Sequence, residues 1–438
     1  SNFRAGVNAG NSIASGGNYN VAIGDEAGTA ITTGDYNVAL GYKALEATNT
    51  ATSSTGVGAF ALDANTTGSN NVGVGHGALT ANTTAADNVA VGYIAMENNT
   101  TGTANTAVGT EALEANTTAN NNTAVGYRSL EANTTGTGNN AFGALALDAN
   151  TTGNYNVAIG DSSLGAATTA SGNTAVGSAS AANITTGANN TAVGLDSLKA
   201  NTTGTQNVAV GTIAGDALTV GSANIAVGYA SLSSDTQGSK SIAIGTGALF
   251  SQNFTSATNA YNTAVGDSAG NAVTTGVENT LIGGLAGDAL TDADFNIAIG
   301  SGALSTDTLG SRTVAIGRNA LLAQNFTSAT ASNSTAVGYE AGRSTTTGID
   351  NCFFGSNAGY AITDADDNVA LGRSALATDT LGSKSTAVGN RALQAQNFTS
   401  GTSTYNVAVG YNAGNDVTTG VQNTLIGGLA GDAITTAS

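Results

Sequence analysis

At 438 residues a globular chain would hold two or three domains, and a net charge of −18 leaves no basic patch of the kind nucleic acid requires. The single cysteine, Cys352, excludes an intrachain disulfide framework, and no run of about 18 apolar residues is present to span a membrane. Glycine is abundant at 61 residues while proline and tryptophan are absent, a composition that would read as disordered were the aliphatic residues less regularly placed.

In chain order, Asn2-Phe3-Arg4-Ala5-Gly6 opens with a motif that then recurs throughout. A Gly returns every 17 residues, at Gly24, Gly41, Gly58, Gly75 and so on without a slip to Gly245. The spacing then runs 21, 17, 17, 17 and repeats, through Gly266, Gly283, Gly300, Gly317, Gly338, Gly355, Gly372, Gly389, Gly410 and Gly427. A fixed period of this length predicts one supersecondary coil per repeat, each completed by its neighbours. The expected fold is all-β: a parallel β-solenoid of about 25 coils, with 17 residues per coil and 21-residue coils in the second half. The predicted organisation is a regular 17-residue-coil solenoid over 1–195, continued over 196–438 by 72-residue units of four coils. At about 4.8 Å per coil, such a stack would form a rod roughly 115–120 Å long.

Each coil reads Asn, Thr or Val, Ala, an aliphatic residue and Gly, as in Asn156-Val157-Ala158-Ile159-Gly160. Alternation predicts a short strand with Val157 and Ile159 on one face and Ala158 on the other. The residue before the Gly, always aliphatic or Phe (Ile23, Leu40, Val57, Phe142, Phe354), is expected to form the core column. Three residues after the Gly the chain carries only Ala or Ser, and the next position is mostly Leu or Gly. The Asn at the strand start (Asn71, Asn88, Asn105, Asn122) is expected to stack into a ladder of side-chain amides.

The four extra residues of each 72-residue unit fall at Gln-Asn-Phe-Thr-Ser, residues 252–256, 324–328 and 396–400. Each forms a protrusion whose Phe254, Phe326 or Phe398 either folds back over its coil or joins an exposed contact stripe. No polar cap closes either end, and a second copy begun directly after Ser438 would place its Gly6 17 residues past Gly427. That register predicts head-to-tail stacking of copies into a filament.

Chemistry is sparse. One His (His76) and one Cys (Cys352) cannot supply a His-based triad or a Cys/His metal cluster. His76 is expected at the surface and Cys352 buried. Asp288, Asp292, Asp294 and Asp364, Asp366, Asp367 match no calcium loop and read as turn acids. No catalytic, cofactor-binding or metal site is expected, and no enzyme. Asn-x-Thr sequons at Asn65, Asn82, Asn116, Asn133, Asn150, Asn183, Asn201, Asn253, Asn325 and Asn397 are candidate glycan acceptors, or simply turn residues.

The run from Asn122 to Gly136, Asn-Thr-Ala-Val-Gly-Tyr-Arg-Ser-Leu-Glu-Ala-Asn-Thr-Thr-Gly, resembles the head repeats of trimeric autotransporter adhesins and the shaft repeats of bacteriophage tail fibres. The likeness covers almost the whole chain, although adhesin heads have shorter coils. It implies a left-handed parallel β-roll, commonly trimeric, serving in a stalk or attachment head. The expected role is thus a structural subunit of an extracellular fibre, on a cell surface or virion. Its expected partners are further copies of itself, end to end or as a trimer, and cell-surface glycans.

Overall fold

A computed structural model describes residues 1–14 and 16–437; Ser438, on which the end-to-end register turns, lies outside them. The chain is a parallel β-solenoid of about 25 turns, with no helix among the described residues. It comprises two units, Ser1–Val220 and Gly221–Ser438. The first holds thirteen three-residue strands, from Phe3–Ala5 to Val208–Val210, and the second twelve, from Ile225–Val227 to Thr424–Ile426.

Within each unit every strand pairs in register with the same three residues of the next coil. Val157 faces Thr174, Ala158 faces Ala175 and Ile159 faces Val176. Where an insertion intervenes, Ile242 still faces Thr263 and Ala243 faces Ala264, so the four extra residues are looped out without disturbing the ladder.

The alternation within each strand is as the sequence predicts, but its sense is reversed. The central Ala is the buried residue: Ala22, Ala124, Ala158 and Ala298 have no exposed surface. The residue before the Gly faces outward, with Phe142 41% and Phe354 42% exposed, so it is not the core column. The reason lies one residue earlier. The strand-start Asn is buried as well, and alternation forces the residue two further on, the Ala, to share its side. Asn88 shows why the Asn must point inward: its Oδ1 accepts the Asn105 N–H at 3.0 Å, and its Nδ2 donates to the Gly102 carbonyl at 2.9 Å, across the coil. The amide thus ties the strand to the opposite wall, where bare backbone polar groups would otherwise be stranded.

Leucines from four residues past the Gly fill the interior. Leu45, Leu62, Leu113 and Leu130 are fully buried, and each adopts a left-handed backbone with φ between 53° and 54°. Every coil turns at such corners. In the coil of Gly109 they are Glu111 (φ 59°), Leu113 (φ 53°) and Asn121 (φ 60°). Non-glycine residues adopt this conformation rarely, at a cost on the order of 1 kcal/mol each. Here the hydrogen bonds between stacked coils fix it; Leu113 N–H donates to the Ser129 carbonyl at 3.0 Å.

In most coils where Gly replaces that Leu, an aliphatic side chain three residues later fills the same layer. A Cβ on Gly28 would lie 2.8 Å from Ile31 Cδ1, and Ile31 is fully buried. Gly215 with Leu218 and Gly270 with Val273 repeat the exchange. A larger substitution is absorbed likewise: Leu281 stands where other coils have Ala, and Gly270 and Gly287 make its space, their hypothetical Cβ atoms falling 2.6 and 2.7 Å from its methyls.

Candidate functional site

With catalytic groups scarce, the surface with the most organised chemistry is the outer face of the strands. Its row beside the Gly is apolar throughout, for example Ile159, Val176, Val193 and Val210 in the first unit and Ile282, Ile299, Ile316 and Val337 in the second. The other row is mostly Val, Ile and Thr. Cys352 lies in this second row and is half-buried, not buried as expected, because its strand position faces outward. Beside the apolar row in the first unit, Tyr42, Phe60, His76 and Tyr93 form a continuous file of rings with centroids 5.3, 5.7 and 5.6 Å apart. His76 is exposed there, as expected.

The insertion phenylalanines are not a contact stripe. Phe254, Phe326 and Phe398 are only 5–7% exposed, folded back onto their coils. What holds them is a buried acid that the sequence analysis did not single out. Asp307 Oδ1 accepts the Gly310 N–H and the Phe326 N–H, both at 3.0 Å, and its Oδ2 accepts from Gln324 Nε2 at 2.7 Å. Asp235 with Gln252, and Asp379 with Gln396, repeat the clamp at 72-residue intervals. The signal was available: Asp replaces the ladder Asn only in coils directly preceding an insertion.

The sequons divide sharply. Asn65, Asn82, Asn116, Asn133, Asn150 and Asn201 are fully buried and cannot accept a glycan in the folded chain. Five of them lie in a second amide ladder, in which Asn82 Nδ2 donates to Asn65 Oδ1 at 2.9 Å, Asn116 Nδ2 to Asn99 Oδ1 at 2.7 Å and Asn150 Nδ2 to Asn133 Oδ1 at 2.8 Å. Only Asn183, Asn253, Asn325 and Asn397 are exposed among the ten.

The acids do not gather around a point. Asp294 Oδ1 accepts the Val277 N–H and Asp366 Oδ1 the Ile349 N–H, both at 2.8 Å, tying one turn to the previous one. Asp292 and Asp364 accept hydroxyls from Thr275 and Thr347. Among the described residues the one close carboxylate group is Glu111, Glu114 and Glu131, and its cation is already present: Arg128 reaches Glu111 at 3.1 Å and Glu131 at 2.6 Å.

Five acids lie partly sunk beside the interior. Burial pushes the carboxyls of Asp63, Asp148, Asp216 and Asp288 above the usual aspartate value, and burial followed by Glu111, Glu131 and Glu97 raises Glu114.

 

For an acid raised in this way, the protonated form favours the fold. The contribution is complete below the ordinary carboxylate range and is lost as pH rises through the raised value. The melting temperature is therefore expected to be higher at about pH 4, near the ordinary carboxylate value, than at about pH 8, against the fall usual for proteins whose carboxylates are ion-paired. Calorimetric melts across that range check the sign, and a lower melting temperature on acidification would show that burial of these acids does not govern it.

Compared with known proteins, the chain matches no family model and no curated protein sequence.

Proposed function

We propose that this chain is a structural, non-catalytic subunit of an extracellular fibre, and that several copies associate side by side through the outer faces of their strands. The observation that carries this reading is the outward-facing row before the Gly, aliphatic or aromatic in coil after coil yet only half-buried or exposed. Monomeric proteins rarely leave contiguous apolar surface uncovered on this scale. A partner able to match such a row along its length must present apolar groups at the same coil-to-coil interval, and a second copy of the chain does so by construction. The resemblance to adhesin heads and tail-fibre shafts supports a bundle of chains, with attachment to a cell or virion surface as its setting.

Sedimentation equilibrium of the full chain tests this directly. A mass of several chains is expected at micromolar concentration. The double variant Val125→Asp and Val176→Asp, both on the outer row, should sediment as a single chain while keeping the wild-type β-sheet circular dichroism. A wild-type chain that stays monomeric, or variants that associate undiminished, would sink the reading.

A further inference from the structure

The three 72-residue units offer an internal comparison in which a departure from sameness carries information. Directly after a short Gly-Ser strand, each unit places a cation: Lys240, Arg312 and Lys384, spaced 72 residues apart. In two of the three, a tyrosine 21 residues later covers it. Lys240 Nζ donates to Tyr261 Oη at 3.0 Å and lies 5.0 Å from the ring centroid, and Lys384 Nζ lies 5.6 Å from the Tyr405 centroid. In the middle unit the tyrosine is replaced by Asn333, whose amide is turned to Asp350 at 3.1 Å. Arg312 is exposed there, and no side-chain partner for it is found among the described residues.

The same unit changes on the opposite side of the cation. Where the other two carry Ala223 and Asp367, it carries Phe295, 46% exposed. Between them lies an open cleft of about 240 Å³, lined by Asp294, Phe295, Ser311, Arg312, Thr330 and the alanines flanking Thr330. Its size is below that of a typical drug-sized pocket and suits a ligand of one ring.

The lining defines the chemistry. A bare guanidinium offers a fork of donors to a carboxylate. The exposed phenyl face suits the C–H face of a ring. Ser311 Oγ accepts the Asp294 N–H at 3.0 Å and keeps its own proton to donate, whereas Thr330 Oγ1 donates to the Ser328 carbonyl at 3.0 Å and keeps lone pairs to accept. Hydroxyls beside the ring favour a hydroxylated ring over a purely aromatic one. We propose that this cleft binds a carboxylate-bearing sugar ring, of the uronate class. The proposal stands independently of how the chains assemble, since none of these residues belongs to the three-residue strands.

The test is ligand-observed saturation-transfer NMR on the full chain, with D-glucuronate, D-glucose and benzoate as probes. Glucuronate is expected to give a saturable signal and glucose none. Asn333→Tyr restores the residue found in the other two units, at a corner where Tyr261 and Tyr405 already adopt the same left-handed backbone (φ 51° and 52°, against 49° for Asn333), so the fold should persist. That variant, and Arg312→Gln, should each weaken glucuronate at least about tenfold. Equal signals from glucose, binding indifferent to both variants, or no binding would overturn the proposal. Benzoate binding in place of glucuronate would overturn the sugar assignment.

Discussion

Replacing Gly177 with valine is expected to cost more than about 4 kcal/mol and to open the solenoid locally around the coils it joins. Two effects combine. Gly177 has φ of 133°, a region closed to residues with a side chain at a cost on the order of 1–3 kcal/mol. A Cβ there would also stand 2.5 Å from the carbonyl oxygen of Gly194 and 2.7 Å from its carbon, both backbone atoms of the next coil. Neither coil can yield without breaking the pairing of Thr174–Val176 with Thr191–Val193. Because each coil is stabilised mainly by its neighbours, the damage should be regional. Hydrogen exchange is expected to show protection lost first in these two strands. Ser178→Val, one residue on and exposed, is the control and should fall within about 0.5 kcal/mol of wild type. Equal exchange in the two variants would show that the glycine is a compositional habit with no steric role.

The same glycine period made the fold legible. A strict 17-residue interval fixes coil length, and the looped-out insertions keep the strands paired as their spacing implies. What the sequence did not reveal is which face of the strand points inward. Ala158 and Ile159 differ in hydrophobicity in the direction opposite to their burial, because width and not apolarity selects the inner residue. A coil already holding a Leu layer and an amide has room only for a methyl. The buried sequons escaped for a related reason: Asn-Thr-Thr-Gly is the pattern of an exposed turn, and only stacking turns Asn82 and Asn116 into members of an internal ladder. The left-handed corners left a trace in the exchange of Leu for Gly four residues past the motif, since Gly28 and Leu45 share a sign of φ that no composition states. The cleft at Arg312 lies where the middle long unit departs from the other two, with Asn333 in place of Tyr and Phe295 in place of Ala or Asp. Sameness identifies the scaffold, and departures from it mark the candidate site.

Phe353 carries that argument into the interior, and Phe353→Ala is expected to cost about 3–5 kcal/mol. It occupies the central strand position held by Ala in most coils and is fully buried. Its ring fits because the two corner positions around it, Gly342 and Gly359, have no side chain. A Cβ on either would lie 2.7 Å from Phe353 Cδ2 or 2.5 Å from Cδ1. Removing the ring therefore leaves a cavity bounded by backbone that is itself tied coil to coil and cannot collapse. The layer has a second solution already used along the chain, small centre with large corners, as in Ala124 with Leu113 and Leu130. Phe353→Ala combined with Gly342→Leu and Gly359→Leu should recover a substantial part of the loss, although either leucine alone in the wild-type background should destabilise by overpacking. Those corners have φ of 57° and 60°, a conformation that buried leucines adopt elsewhere in this chain. Chemical denaturation of the single, double and triple variants measures the coupling, and strictly additive losses would mean that the centre and corners do not share one layer.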